Sequence, residues 1–402
     1  MLLKYLQKEM KFGAQNYKPY PIELVRGKGV HVWDSQGIKY LDFLAGYSSV
    51  NQGHCNSYII TKANVQMKSL CMTSRAFSNN VTGNYMEYIC KTFNYDKVLP
   101  TNTGVEAGET AIKLARLYGY KNKGIESNKA VVLFAKQNFW GRSIAALSSS
   151  SDPMCYNHFG PYTPNLHQIP YNCVDSFKSY IKNNKNVVAF MVEPIQGEAG
   201  IIIPDRGYLK QIKGVCEEHN ILLIVDEVQT GLGRTGKMLA CEHDDVKPDI
   251  LVLGKALSGG LMPVSAVLSN NNVMQYMKPN MHGSTFGGNP LGCAIAKASI
   301  EYTLNENLSE KSSIQGSYFR SQLAEMVKPF DFISDVRGKG LMNAIECVDD
   351  DIAEKLCTNL RNNGLLTKPT KLNTLRLTPP LIIGRSQLNS ALHKINESMK
   401  AI

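Results

Sequence analysis

Two residues, Asp226 and Lys255, stand where an α/β fold most readily supports chemistry. Each follows a short apolar run, at residues 221–225 and 250–253, and the second run is closed by Gly254. Short apolar runs of this kind predict interior strands of a parallel sheet. Because open α/β sheets bind ligands outside the carboxyl ends of their strands, the sequence predicts both residues at one ligand site.

The two residue types together predict a pyridoxal phosphate site. A carboxylate beside a pyridine nitrogen keeps that nitrogen protonated, so the ring can accept electrons from a substrate carbon. A desolvated lysine, whose ammonium form is disfavoured, can bind an aldehyde covalently and later move a proton. The alternative is that Asp226 only caps a helix and Lys255 lies on a loop surface. Taken alone, each residue fits this alternative about as well as it fits a cofactor site. The presence of both residues favours the cofactor site.

Five segments carry a resemblance to a known family. They are residues 102–110, 192–200, 226–236, 254–260 and 282–290. In these segments the chain resembles the pyridoxal-phosphate-dependent class-III aminotransferases, which act on terminal amino groups, and within them the ornithine aminotransferases. The resemblance runs from about Phe12 to about Leu381 and is dense.

The resemblance implies an α/β fold of the fold-type I pyridoxal phosphate transferases, with a large and a smaller domain. We expect residues 1–45 to pack with the small domain, residues 46–290 to form the large cofactor domain, and residues 291–402 to form the small α+β domain. The residue pattern agrees, since strands and helices alternate over the middle of the chain. Residues 30–34 and 39–43 predict a hairpin, and we interpret the repeated Arg-Gly-Lys-Gly at 26–29 and 337–340 as turns.

A helix that begins near Thr103 offers a phosphate site. A helix N-terminus presents free backbone N–H groups and the favourable end of the helix dipole, and Gly104 allows close approach of a bulky group. An N-terminal cap without a ligand is the alternative. The resemblance implies that Thr103, Gly104, Val105 and Ser284 bind the cofactor and that Thr285 reaches the phosphate of the neighbouring subunit. The complete site would then require a homodimer.

Three residues around the cofactor ring follow from the resemblance. It implies that Phe139 stacks on one face of the ring and that Gln229 hydrogen-bonds the phenolic oxygen. Val228, two residues beyond Asp226, would pack on the other face, provided that the chain stays extended there. Without the family, Phe139 and Val228 would more often be ordinary core residues.

Charged residues are expected to select the substrate. The resemblance implies that Arg142 and Tyr17 hold the α-carboxylate of an ornithine-like substrate, with Tyr47 near the substrate channel. It also implies that Arg376 binds the carboxylate of 2-oxoglutarate and that Glu198 masks this arginine in the first half-reaction. Arginine suits such roles because its planar fork pairs bidentately with a carboxylate. A plain surface ion pair, which stabilises by about 0 to 1 kcal/mol, is the alternative for Glu198 and Arg376.

The expected reaction is a ping-pong transamination. The δ-amino group of L-ornithine would pass to 2-oxoglutarate, giving glutamate 5-semialdehyde and glutamate, chemistry that serves proline biosynthesis and arginine catabolism. Other terminal-amine transaminases, acting on N-acetylornithine or 4-aminobutyrate, remain alternatives, and so does an aminomutase that needs no external keto acid. A non-catalytic binding protein would be expected to lose Lys255 or Asp226, and both are present.

Composition excludes few classes on its own. The 402 residues carry a net charge of +10, but the lysines and arginines are spread along the chain, which argues against nucleic acid as a partner. No apolar stretch reaches the length of a membrane span. The ten cysteines form no CxxC pair, so we expect reduced thiols and no metal site. No presequence is evident, which favours the cytoplasm, or the mitochondrial matrix if a presequence was trimmed.

Overall fold

A computed structural model describes residues 4–371 and 373–402, in which helices and strands alternate over most of the chain. The strands of the described residues are, in chain order, β1 (Leu24–Lys28), β2 (His31–Asp34), β3 (Lys39–Asp42), β4 (Lys97–Thr101), β5 (Val131–Ala135), β6 (Leu166–Ile169), β7 (Val187–Val192), β8 (Leu222–Asp226), β9 (Ile250–Leu253), β10 (Ser265–Ser269), β11 (Ile333–Lys339), β12 (Met342–Cys347), β13 (Leu365–Leu366), β14 (Pro369–Thr370) and β15 (Thr374–Leu377).

The helices cover both faces of the largest sheet and the outer side of the smaller ones. The α-helices of the described residues are α1 (Lys4–Phe12), α2 (Ala45–Ser48), α3 (Ser57–Met67), α4 (Thr82–Phe93), α5 (Gly104–Asn122), α6 (Ile144–Ser148), α7 (Pro153–Tyr156), α8 (Val174–Asn183), α9 (Tyr208–Glu218), α10 (Asn271–Met274), α11 (Pro290–Asn305), α12 (Leu308–Met326), α13 (Asp350–Asn362) and α14 (Arg385–Lys400). Short 3-10 helices span Ala240–Asp244 and Lys255–Ser258.

The central sheet has seven strands in the order β4-β10-β9-β8-β7-β5-β6. Strands β9, β8, β7, β5 and β6 pair in parallel, whereas β10 runs antiparallel to both of its neighbours. The expected α/β class with a mostly parallel sheet is therefore confirmed. Parallel strands bring their carboxyl ends to one edge, and that edge carries the site described below.

Strands β8 and β9 are buried on both faces, which explains their unbroken apolar sequence. Successive side chains of a strand point to opposite faces. Leu223 and Val225 accordingly pack in one hydrophobic cluster, while Leu222 and Ile224 pack in the cluster on the other side of the sheet. No alternation of polar and apolar residues is possible in such a strand, because neither face meets water.

Two smaller four-stranded sheets join the ends of the chain. One has the order β1-β2-β3-β13 and the other β11-β12-β15-β14. Strands β2 and β3 form the hairpin expected over residues 30–43, and β13 from the C-terminal region adds to β3 in parallel. A shared core contains Val30 and Phe43 from one end of the chain and Phe319 and Leu375 from the other. The exact domain limits at residues 45 and 290 stay a prediction.

The interpretation of both Arg-Gly-Lys-Gly repeats as turns was wrong for their first three residues, which lie in β1 and β11. Only the last glycine of each repeat turns, at Gly29 and Gly340, and both have positive φ. Arg337 also has a structural task that a turn would not give it. Its guanidinium donates to the carbonyl of Gly200 at 2.7 Å and pairs with Glu346 at 2.5 Å, and so ties β11 to the loop after β7.

Arg234 fastens the loop after β8 to the C-terminal part of the chain. Its side chain is fully buried, and it donates to the backbone oxygens of Leu341 at 3.0 Å and Pro379 at 2.7 Å and to the side chain of Asn51. Burial of a guanidinium costs free energy, and these three hydrogen bonds offset part of that cost, while its Nε has no partner among the described residues. The loop that follows Asp226 is therefore anchored both to the C-terminal region, through Leu341 and Pro379, and to the N-terminal region, through Asn51.

Among the described residues, no helix is long and apolar enough to cross a membrane.

Candidate functional site

Three ionisable residues lie at the carboxyl ends of three neighbouring strands. Asp226 is the last residue of β8, Lys255 follows β9 after Gly254, and Glu193 directly follows β7. Because β7, β8 and β9 are adjacent and parallel, the three side chains meet at one edge of the sheet. Lys255 adopts a positive φ of 42°. This backbone conformation is unfavourable for any residue other than glycine, and residues that adopt it are often found at functional sites.

Asp226 is a buried carboxylate with few protein partners. Its side chain is 5% exposed and accepts the backbone N–H of Val228 at 2.9 Å. Burial raises the pKa of Asp226 to about 6, while the Val228 N–H and the charge of Lys255 act in the opposite direction. The carboxylate therefore lacks the compensation that a buried charge requires, and a bound cation would supply it.

The hydrogen bond to Val228 bears on the condition under which the sequence places Val228 on the ring face. That placement required an extended chain from Asp226 to Val228, but a turn begins at Val228, and its N–H bonds the aspartate side chain. Aspartate side chains commonly bond the backbone N–H two residues on. Val228 still lines the same cavity, and its side chain lies against Gly104, where an added Cβ would stand 3.1 Å from Val228 Cγ1.

Lys255 faces the same space. Burial lowers the pKa of its ammonium group from the ordinary value, and the charge of Arg376 adds to this lowering, whereas Glu198 and Asp226 oppose it. A lowered pKa increases the fraction of neutral amine, which is the form that attacks an aldehyde and accepts a proton.

Glu193 is a site residue that the sequence did not single out. Its carboxylate accepts the backbone N–H of Phe139 at 3.1 Å and that of Gly197 at 3.2 Å, so it joins the loops after β5 and β7. Burial, with a further contribution from Asp226, raises the pKa of Glu193 to about 8. At neutral pH this side chain is therefore a neutral acid.

A cavity of about 230 Å³ separates these groups, and its walls fit a flat aromatic cofactor. Asp226, Lys255, Phe139 and Val228 contribute to the walls, and so does Gln229, whose buried amide oxygen has no hydrogen-bond partner among the described residues. A ring with a protonated nitrogen for the carboxylate, an aldehyde for the lysine and a hydroxyl for the amide matches these groups. Pyridoxal 5′-phosphate has all three.

The phosphate end of this cavity is the start of α5. Thr103 caps the helix by accepting the N–H of Glu106 at 3.3 Å, and Gly104 and Val105 form the first turn and line the cavity. Ser284 lies beside this helix start, where its hydroxyl accepts from Asn102 at 2.8 Å. The first turn of a helix is a favourable phosphate site because its N–H groups lack helical partners.

Thr285 does not contribute to the cavity of its own chain. It is exposed, in the loop that also exposes Phe286 and Met281. Thr285 is thus free to face another molecule.

Glu198 and Arg376 form a bidentate ion pair. The guanidinium donates from Nη1 to Oε1 at 2.7 Å and from Nη2 to Oε2 at 2.5 Å, and the centre of the Tyr47 ring lies 5.2 Å from the guanidinium carbon. Burial alone would raise the pKa of Glu198, but the hydrogen bonds and charge of Arg376 outweigh it and hold that pKa below its usual value. Arg376 is 3% exposed, so this is not the plain surface pair that was the alternative.

A second cavity of about 390 Å³ adjoins the first at Phe139. Arg142 and Glu198 both line it, and the guanidinium carbon of Arg142 lies 5.6 Å from the Phe139 ring centre. Arg142 is exposed and makes no ion pair among the described residues. It is therefore available to a carboxylate that enters this cavity.

The structure does not bring Tyr17 to this group. The tyrosine is 72% exposed, lines neither cavity, and has no hydrogen bond within the described part of the chain. Its expected contact with the substrate stays a prediction. Of the site residues expected from the sequence, Thr103 and Ser284 line neither cavity but lie at the start of α5, whereas Tyr17 and Thr285 show no contact with the two cavities, the ion pair or that helix start among the described residues.

The chain is similar to well-characterised transaminases along nearly its whole length. The sequence model of the family described as aminotransferase class-III matches residues 12–399. The chain is 52% identical to the mitochondrial ornithine aminotransferase of Rattus norvegicus over 396 residues, which cover 98% of this chain and 89% of the rat protein. It is 54% identical to a probable mitochondrial ornithine aminotransferase of Caenorhabditis elegans, with 96% and 90% covered.

Solved structures give the same result. The crystal structure of ornithine aminotransferase from Toxoplasma gondii superposes with a TM-score of 0.97 at 44% identity and covers 99% of this chain and 94% of that one. Acetylornithine aminotransferase from Elizabethkingia anophelis has a TM-score of 0.91 at 46% identity, with 99% and 98% covered. These matches confirm the fold-type I expectation, and a second T. gondii structure is described with pyridoxal phosphate at its active site.

The raised pKa of Glu193 predicts how the stability of the cofactor-free protein depends on pH. The folded protein keeps a proton on Glu193 up to about pH 8, whereas the unfolded chain loses it near the ordinary value of 4.5. Folding therefore takes up a proton in this window, so stability falls as pH rises from about 5 to about 8. Glu193→Gln cannot ionise, and we expect a shallower decline of its thermal unfolding midpoint.

Glu218→Gln is the matched control, because Glu218 is an exposed carboxylate on α9. It should keep the wild-type slope. A Glu193→Gln slope equal to that of the wild type would show that Glu193 is ionised in the folded protein at neutral pH.

Proposed function

The chain belongs to the class-III aminotransferase family, and from this membership we propose that it transfers the δ-amino group of L-ornithine to 2-oxoglutarate. The observation that carries this choice of substrate is the placement of two arginines. Arg142 lines the outer cavity without a carboxylate partner among the described residues, while Arg376 is occupied by Glu198. Such a site accepts a carboxylate far from Lys255 and refuses one near it, which suits a substrate that reacts at its distal amine.

Class-III aminotransferases depend on pyridoxal 5′-phosphate, and the walls of the inner cavity fit this group. When bound, the cofactor supplies an aldehyde that captures amines and a ring that accepts electrons. Asp226 would hold the ring nitrogen in its protonated form, Phe139 would pack on one ring face, and Gln229 would hydrogen-bond the phenolic oxygen. The phosphate would rest on the first turn of α5.

Lys255 is proposed as the residue that moves the proton. Burial lowers its pKa and so increases the fraction of neutral amine, and its side chain lines the inner cavity together with Asp226. The lysine would take a proton from the amine-bearing carbon of the substrate and deliver it to the cofactor side. The surrounding protein excludes water and so limits loss of that proton.

The two half-reactions would use the arginines in turn. In the first, Arg142 and Tyr17 hold the α-carboxylate of ornithine, Tyr47 borders the channel, and glutamate 5-semialdehyde leaves. This aldehyde cyclises to pyrroline-5-carboxylate without help from the protein. In the second, the Glu198 carboxylate releases Arg376, which then binds the carboxylate of 2-oxoglutarate beside the reacting carbon, and glutamate leaves.

We further propose a homodimer in which Thr285 of each subunit completes the phosphate site of the other. The exposure of Thr285, in one loop with exposed Phe286 and Met281, supports this arrangement.

We propose the cytoplasm as the compartment of this protein, although the relatives from rat and C. elegans are named as mitochondrial.

One spectroscopic experiment tests the function. Ornithine added alone to the yellow holoenzyme should remove the yellow absorbance and release one glutamate 5-semialdehyde per site, and 2-oxoglutarate should then restore the colour and yield glutamate. Lys255→Ala should complete neither step, and N-acetylornithine and 4-aminobutyrate should react far more slowly than ornithine. Faster reaction of either rival amine, or turnover without 2-oxoglutarate, would reject the proposal.

The masking role of Glu198 leads to a prediction of regiochemistry. Glu198→Ala should expose Arg376, so that glutamate binds in the reacting orientation more readily and ornithine loses its advantage. The ratio of single-turnover rates, ornithine over glutamate, should fall, and a loss of about 1.4 kcal/mol of masking would lower it about tenfold. Arg376→Ala should instead slow the 2-oxoglutarate half-reaction more than the ornithine one. An unchanged ratio in Glu198→Ala would refute masking.

The shared site predicts complementation between subunits. Lys255→Ala subunits and Thr285→Trp subunits should each be inactive alone, whereas a mixed dimer has one site that escapes both substitutions. Mixing them under conditions that exchange subunits should restore part of the activity. Demonstrated exchange without any recovery would count against a site shared between subunits.

A further inference from the structure

Thr370 lies beside the masked arginine on a short two-stranded ribbon. It ends β14, pairs in register with Thr374 at the start of β15, and Arg376 follows two residues further along that strand. Thr370 is 7% exposed and lines the outer cavity together with Glu198 and Arg142. The sequence gives no signal for this residue, because a threonine in a short strand is common.

The hydroxyl of Thr370 contacts both partners of the ion pair. The hydroxyl oxygen lies 2.8 Å from Nη2 of Arg376 and 2.6 Å from the backbone oxygen of Glu198. A guanidinium can only donate and a carbonyl can only accept, so the hydroxyl must accept from Arg376 and donate its single proton to Glu198. The direction of both hydrogen bonds is therefore fixed by the chemistry of the partners.

These two bonds do not depend on the side-chain conformation of Glu198. When the Glu198 carboxylate turns away, the guanidinium of Arg376 loses two hydrogen bonds, but the bond to Thr370 and the bond from Thr370 to the Glu198 backbone can remain. The other neighbours of the guanidinium orient it weakly. Its Nε has no partner among the described residues, and Tyr47 offers only a ring face at 5.2 Å.

We propose that Thr370 is the positioning residue that keeps Arg376 aimed at the carboxylate of 2-oxoglutarate after Glu198 has released it. This inference rests on the proposed function and adds the group that holds the arginine between its two partners. Without the hydroxyl, the unmasked guanidinium would rotate about its side-chain bonds and would have to be reordered by the substrate. The loss would fall mainly on substrates that bind Arg376 directly, and less on ornithine, for which Glu198 orients the arginine.

Two substitutions isolate the hydroxyl. Thr370→Val keeps the shape and removes both hydrogen bonds, whereas Thr370→Ser keeps them. Thr374→Val is the control, because Thr374 is buried on the same ribbon and, within the described part of the chain, its hydroxyl bonds Asn373 alone, at 3.3 Å. Thermal unfolding midpoints of the three holoenzymes establish that each variant is folded.

The holoenzymes are then compared in single-turnover half-reactions and by calorimetric titration with glutarate, a dicarboxylate that does not react. In Thr370→Val we expect the apparent KM for 2-oxoglutarate and the dissociation constant for glutarate to rise about tenfold, the usual effect of losing a hydrogen bond to a charged group. The ornithine half-reaction should slow by less than about threefold. Thr370→Ser and Thr374→Val should resemble the wild type in both measurements.

Equal losses for ornithine and 2-oxoglutarate in Thr370→Val, or the same losses in Thr374→Val, would reduce Thr370 to a structural residue and overturn the inference. Unchanged 2-oxoglutarate and glutarate binding would overturn it as well. A wild-type enzyme that fails to react with ornithine would reject the proposed function together with this inference. A wild type that does react, with no selective effect in Thr370→Val, would reject the inference alone.

Discussion

The structure depends on placing charge at the edge of a sheet that is apolar on both faces. Glu193, Asp226 and Lys255 end three neighbouring strands, and water does not reach them well enough to stabilise their ionised forms. Burial disfavours every charged form, so the pKa values of the two carboxylates are raised and the pKa of the lysine is lowered. The site is therefore unfavourable when it is empty, and a flat cation with an electrophilic carbon would relieve it.

The same constraint applies to the ion pair that we propose to select the substrate. Arg376 and Glu198 are buried enough that removing either partner would leave a costly unpaired charge. In the proposed exchange a substrate carboxylate would take the place of Glu198, so the arginine would keep a charge partner throughout. The pair connects two parts of the structure, because Glu198 lies after β7 of the central sheet and Arg376 lies on β15 of a small sheet.

Much of the fold could be predicted from the pattern of apolar and turn residues in the sequence. The apolar runs at β8 and β9 and the alternating hairpin of β2 and β3 are strong signals because their lengths and turn residues leave few alternatives. Asp226 and Lys255 were identified because each follows such a run. The helix start near Thr103 and Gly104 was identified as a phosphate site from helix chemistry. The remaining site residues came from family resemblance, since nothing in the local sequence separates a Phe139 that would stack on a ring from a core phenylalanine.

Three features of the site could not be predicted from the sequence, because each depends on contacts made only in the folded chain. Glu193 sits where Asp226 sits, after a buried strand, and that position was the available signal, but burial of an acid is a tertiary property. The turn after Asp226 is held by the hydrogen bond from the Val228 N–H to the aspartate and by that from the Gly231 N–H to the Glu227 carbonyl, and the residue pattern does not show these contacts. Thr370 gains its place only because the β14–β15 ribbon folds against the loop that carries Glu198. Tyr17 illustrates the converse, a residue expected from the family that the structure leaves exposed.

The central claim is that the buried Asp226 carboxylate is stabilised by a protonated ring nitrogen. Its most direct test is the affinity of cofactor-free protein for pyridoxal phosphate and for the analogue in which carbon replaces that nitrogen. The wild type, and the control Glu227→Gln, whose buried carboxylate instead bonds Thr230 and the N–H of Cys241, should prefer the natural cofactor by about tenfold or more. Asp226→Asn should lose most of this preference. A preference that survives in Asp226→Asn would contradict the account.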